Sequence, residues 1–104
     1  MAKSAHTMAL QSLVPASERE QFDRSVQALV ARNRMLQVIE DSRVFEKISK
    51  HDLAEKAGLD PASVRRLLTA ETANPTSETI VRLMSALDVK LEAVLPNGER
   101  LSII

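Results

Sequence analysis

The sixteen residues Leu53–Leu68, LAEKAGLDPASVRRLL, decide how the chain is to be read. They spell a short helix, a turn and a second helix. Leu53, Ala54 and Ala57 share one side of the first helix, the spacing of a buried face. Gly58, one of only two glycines in the chain, ends that helix where a left-handed residue is needed. Leu59 fills the corner. Asp60 then caps the second helix and Pro61 takes its first position, where a missing N–H costs nothing. Val64, Leu67 and Leu68 turn inward, which leaves Ala62, Ser63, Arg65, Arg66 and Thr69 outward. Ala-xxx-Gly alone is a common pairing, but with these caps and this inward face the segment predicts a helix-turn-helix.

Working outward, Ser49 caps the first of these helices, with Asp52 at the position that closes a capping box. Upstream, SERE at Ser17–Glu20 is a second capping box and predicts a helix from Ser17 to about Lys47, with Asp41-Ser42 as a candidate break. Along it Phe22, Val26, Leu29, Asn33 and Leu36 recur at spacings of four and three. That heptad-like stripe packs on its own domain or forms a dimer or partner seam. Residues 1–16 are expected to be a flexible tail; Met8, Leu10, Leu13 and Val14 are its partner-gripping candidates. Downstream, Thr76 caps a helix to about Leu87 that buries Ile80, Leu83, Met84 and Leu87. Alternating apolar residues around Asn97-Gly98 then predict a β-hairpin.

Composition narrows the function. The chain has 104 residues, 44% of them hydrophobic and only 2% aromatic, so its core is aliphatic. There is no cysteine, which excludes disulfides, thiolate catalysis and zinc fingers. His6 and His51 lie far apart without evident co-ligands, so no metal or cofactor site is expected. With no Trp or Tyr, stacking platforms for single-stranded nucleic acid are few. No nucleophile–base set, paired carboxylates or Gly-rich phosphate loop can be assembled, so the chain is not read as an enzyme. It carries no signal-peptide pattern and no apolar run of membrane length, and a cytoplasmic protein is expected. Basic and acidic residues each number 14. Any binding to nucleic acid must come from where charge is placed rather than from its amount.

At this point a family resemblance enters. SKHDLAEKAGLDPASVRRLLTAETANPTSETIVRLMSALDV resembles the helix-turn-helix domain of the XRE family of transcriptional regulators. RRLLTAETANPTSETIVRLMSALDVKLEAVLP is similar to HigA-like antitoxins in particular. The resemblance covers about residues 34–95. It implies an all-α, five-helix, lambda-repressor-like domain (34–88), here with an N-terminal helical extension (17–33) and a C-terminal β-hairpin (89–104) available for dimerisation or a partner.

The resemblance also implies that the helix from 61 to 70 lies in the major groove of double-stranded DNA. Its base-facing positions fall on Pro61, Ala62 and Arg66, with Ser63 beside them. Phosphate contacts fall on Ser49, Lys50, Arg65, Thr69, Asn74 and Thr76. Pro61 and Ala62 lack the amide by which Gln or Asn reads adenine; they can touch thymine methyls, while Arg66 can take a guanine edge. Asp88 stands where the family has Gly, and VFEKIS (44–49) lacks the usual Gly, so helix 1 is expected to end differently. The expected function is that of a homodimeric repressor on a palindromic operator, the antitoxin of a type II toxin–antitoxin pair with a cognate toxin as partner. The alternatives are a stand-alone repressor and a protein-interaction module that does not read DNA.

Overall fold

The computed structural model describes residues 16–69 and 74–104. The expected tail and its apolar residues lie outside them, as does the last residue expected in the second helix of the motif, Ala70. Among the described residues the order is α1 (Ala16–Phe45), α2 (Lys50–Ala57), α3 (Pro61–Thr69), α4 (Ser77–Ala86), β1 (Glu92–Val94) and β2 (Arg100–Ser102). Four helices are thus present there, short of the five expected, and after α4 the chain goes on to strands. It divides into two compact units, Met1–Arg34 and Met35–Ile104.

In the first unit all the described residues belong to α1. That helix is described from Ala16, one residue before the Ser17 at which the SERE pattern places its start. Phe22 and Val26 are half-buried, and Leu29 and Asn33 are exposed. Helix α1 also runs unbroken through Asp41-Ser42. There Gln37 Nε2 donates to Asp41 Oδ1 at 2.8 Å, a bond between neighbours on one helix face.

The second unit is built around an aliphatic core. Ile39, Leu53, Val64 and Leu83 are its largest fully enclosed side chains, and Ala54, Ala57, Ile80, Met84, Ala86 and Leu87 complete it. Each fully enclosed aliphatic side chain stabilises by about 1.5–3 kcal/mol relative to exposure. Leu36, the last member of the heptad-like stripe, packs against this core, as do Leu91 and Ile104, which fasten the hairpin to it. Among the described residues no polar residue is buried.

Three helix ends in this unit close in the same way. At each, a left-handed residue lets the next amide reach back five positions, the Schellman arrangement. Leu59 N–H donates to Ala54 O at 2.9 Å over Gly58, Ile48 N–H to Arg43 O at 3.1 Å over Lys47, and Val89 N–H to Met84 O at 2.9 Å over Asp88. The φ values are 70° at Gly58, 57° at Lys47 and 56° at Asp88. The missing glycine in VFEKIS therefore does not alter the closure; Lys47 adopts the glycine-like conformation itself.

The hairpin pairs Glu92 with Ser102, Ala93 with Leu101 and Val94 with Arg100, antiparallel. Its turn is displaced from a two-residue Asn97-Gly98 turn. Gly98 N–H donates to Leu95 O at 2.9 Å and Leu95 N–H to Glu99 O at 2.8 Å, so Pro96, Asn97 and Gly98 form a three-residue loop. Only Gly98 is left-handed there, at φ 90°. Proline locks φ near −65° and favours the first inner position of an ordinary turn, after which glycine supplies the bulge. Asn97 Oδ1 accepts from Glu99 N–H at 2.9 Å.

Candidate nucleic-acid interface

The turn between α2 and α3 is assembled from local hydrogen bonds. Ser49 Oγ accepts from Asp52 N–H at 3.0 Å and starts α2. Gly58 ends it, its amide reaching Ala54 O and Glu55 O. Asp60 Oδ2 then accepts from Ser63 N–H at 3.0 Å and starts α3. These caps satisfy backbone groups that helix ends leave open and join two helices whose Ala54 and Val64 are both enclosed in the core.

With Val64 inside, α3 turns Ser63, Arg65, Arg66 and Thr69 to the exposed side, while Pro61 and Ala62 are half-buried. Neither arginine of this helix forms an ion pair among the described residues. Arg66 Nη2 donates instead to Ser63 Oγ at 3.3 Å, and Ser63 Oγ donates to Asp60 Oδ2 at 2.9 Å. Ser63's two hydrogen bonds and the charge of Arg66 hold the Asp60 carboxyl below its usual range. Thr69 Oγ1 donates to Arg65 O at 2.7 Å, back along its own helix.

The remaining expected residues stand at the starts of α2 and α4. Ser49 is exposed and Lys50 half-buried at the start of α2. Asn74 and Thr76 are exposed before α4, where Thr76 Oγ1 accepts from Thr79 N–H at 3.2 Å. A groove of about 450 Å³ brings Ser63 of α3 together with Asn74 and Thr76, over a floor that includes Leu59, Val64 and Leu67. Ser49, Lys50, Arg65, Arg66 and Thr69 do not line it.

Two features do not follow from the sequence pattern. Asp60, expected as a cap, also holds the hydroxyl that meets Arg66. His51, expected to lack co-ligands, stands with Asp52 and Glu55 on exposed positions of α2, their ligand atoms within 4.8 Å of one another. His51 Nε2 and Glu55 Oε1 are 3.1 Å apart, an i,i+4 surface pair.

Residues 45–94 match the family model described as Helix-turn-helix (HTH_3), a span that takes in α2, α3, α4 and β1. Residues 45–94 thus form a helix-turn-helix domain of the XRE type, the kind found in DNA-binding regulators. No curated protein and no solved structure matches the chain. No described helix is long and apolar enough to cross a membrane.

Proposed function

We propose that the chain is a sequence-specific repressor that binds double-stranded DNA as a homodimer through α3. The observation that carries this reading is that α3 exposes Arg65 and Arg66 with no carboxylate ion-paired to either among the described residues. Arg66 takes a guanine O6/N7 edge, and Pro61 and Ala62 lie against thymine methyls beside Ser63. Ser49, Lys50, Arg65, Thr69, Asn74 and Thr76 hold phosphates. With zero net charge over the whole chain, affinity rests on this local placement, and the salt slope reflects a few phosphate contacts.

The test is selection from a random duplex library with the purified full chain at two salt concentrations. A palindrome with half-sites one helical turn apart, about 34 Å, is the expected product. No enrichment at either salt refutes the proposal.

A separate observation favours a protein partner as well. Phe45 is 83% exposed beside an exposed Val44, and the hairpin leaves Leu101 and Ile103 exposed. A chain that represses its own operon as an antitoxin uses such surfaces to hold its toxin. Co-expression with the product of the neighbouring reading frame tests this: rescue from growth arrest supports it, and a harmless neighbour refutes it.

A further inference from the structure

Asp60, Ser63 and Arg66 stand three residues apart along the exposed side of α3 and its cap, a strip about 9 Å long at 1.5 Å per residue. Their hydrogen bonds run in one direction. A serine hydroxyl has a single proton and two acceptor sites. Ser63 spends that proton on Asp60 Oδ2 at 2.9 Å, which leaves a lone pair for Arg66 Nη2 at 3.3 Å. Arg66 is therefore held by a neutral oxygen, with a carboxylate one step behind it. A direct Asp–Arg pair would occupy the fork of the guanidinium; here one N–H is used and the others remain for a base edge.

We propose that Asp60 and Ser63 are positioning residues that commit Arg66 to one guanine and keep it off the phosphate backbone. The proposal rests on the DNA-binding reading above. Two effects act together. The hydroxyl selects one direction for a side chain with many rotamers, lowering the entropy lost when Arg66 meets its base. The carboxylate, at the face that approaches DNA, repels phosphates and so penalises docking in the wrong register. Asp60 thereby exchanges overall affinity for discrimination.

The experiment measures binding of the full chain to its selected operator and to operators with each single base pair changed, at two salt concentrations. It uses the wild type, Ser63→Ala, Ser63→Thr, Asp60→Asn and Arg66→Ala. Asn caps a helix as well as Asp, and Ser63 is exposed at a position where Ala suits a helix, so the variants are checked for unchanged helix content before binding is compared. At the base pair where Arg66→Ala loses its preference, Ser63→Ala and Asp60→Asn are expected to lose about three- to tenfold of the discrimination. Ser63→Thr retains it. Asp60→Asn binds non-specific DNA more tightly than the wild type, most clearly at low salt.

Full discrimination in Ser63→Ala and Asp60→Asn, alongside its loss in Arg66→Ala, overturns the positioning role and leaves the DNA reading standing. Equal weakening on every sequence overturns it too, since that is what a damaged cap alone would do. A wild type that selects no sequence overturns both.

Discussion

Arg43 and Ile48 hold each other twice: the Ile48 amide donates to the Arg43 carbonyl at 3.1 Å, and Arg43 Nη1 donates to the Ile48 carbonyl at 2.8 Å. The guanidinium also meets Glu40, through Nε to Oε2 at 2.9 Å and through Nη2 to Oε1. The side chains are 15% and 26% exposed, so solvent screens them only partly. The pair closes the end of α1 and directs the chain toward α2. Arg43→Ala is expected to lower stability by about 1.5–3 kcal/mol, the range for a hydrogen-bonded charged group, read from urea unfolding.

The same pair sets a pH dependence. The hydrogen bonds from Arg43 hold the Glu40 carboxyl below its ordinary value of 4.5, against the opposing effect of burial. A lowered carboxyl pKa stabilises the folded state fully above the unfolded value, and that contribution disappears as pH falls through the folded one. Stability of the wild type is therefore expected to be flat above about pH 5 and to decline below it. In Arg43→Ala the decline is shallower. An equally steep decline in both proteins would assign the dependence to other carboxylates.

The left-handed residues make a separate prediction. An L residue in that conformation costs about 1–2 kcal/mol, and glycine returns about 0.5–1 of it through its freer unfolded chain. Lys47→Gly and Asp88→Gly are each expected to raise stability by about 0.5–1 kcal/mol. Gly58→Ala is expected to cost about 1 kcal/mol; the added methyl would lie 3.3 Å from Arg82 Nη1, the movable end of a long side chain. Thermal unfolding of the three variants checks the sign. A loss on Lys47→Gly would mean that the lysine side chain supplies something its backbone does not.

What the sequence revealed about this fold was the chemistry that acts over three or four residues. Ser49, Gly58, Asp60 and Thr76 were legible because each helix boundary depends on a side chain, or the lack of one, beside its own backbone. Lys47 was not, because nothing in a lysine signals a left-handed backbone; Ile48 returning to the core and the Arg43 bonds impose it. The hairpin was legible from its alternation and from Gly98, while its loop differed because Pro96 restricts the residue ahead of Asn97. At the candidate site, the exposure of Ser63, Arg65, Arg66 and Thr69 followed from burying Val64. The link from Asp60 through Ser63 to Arg66 depends on rotamers, which periodicity does not carry.

On the proposed DNA-binding reading, in which Arg66 meets a base and Lys50 a phosphate, two substitutions are expected to behave differently. Arg66→Ala removes a base contact, costing on the order of 1–3 kcal/mol on the selected operator and relaxing preference at one base pair. Lys50→Ala removes a phosphate contact, weakening binding evenly across sequences and reducing the salt slope by about one. Titrations of both variants against operator and scrambled duplexes distinguish them. An even loss for Arg66→Ala would take the base-reading role from it.

The hairpin supplies the last prediction. Ala93 and Leu101 face each other across the strands, and Leu95 and Ile103 lie on the same side by the alternation of β-strands. Leu101 is 59% exposed and Ile103 54%, an apolar face that water does not favour. On the opposite side Arg100 Nη1 and Glu92 Oε2 are 3.6 Å apart, an exposed pair that contributes little. If the proposed homodimer forms through this apolar face, Leu101→Asp converts it to a monomer without unfolding it, because Leu91 and Ile104 still hold the hairpin to the core. Sedimentation at several concentrations measures the change, and operator binding should weaken steeply, since a monomer engages one half-site. A Leu101→Asp protein that stays dimeric would move the seam off the hairpin, and Leu29→Asp on α1 would be the next substitution to make.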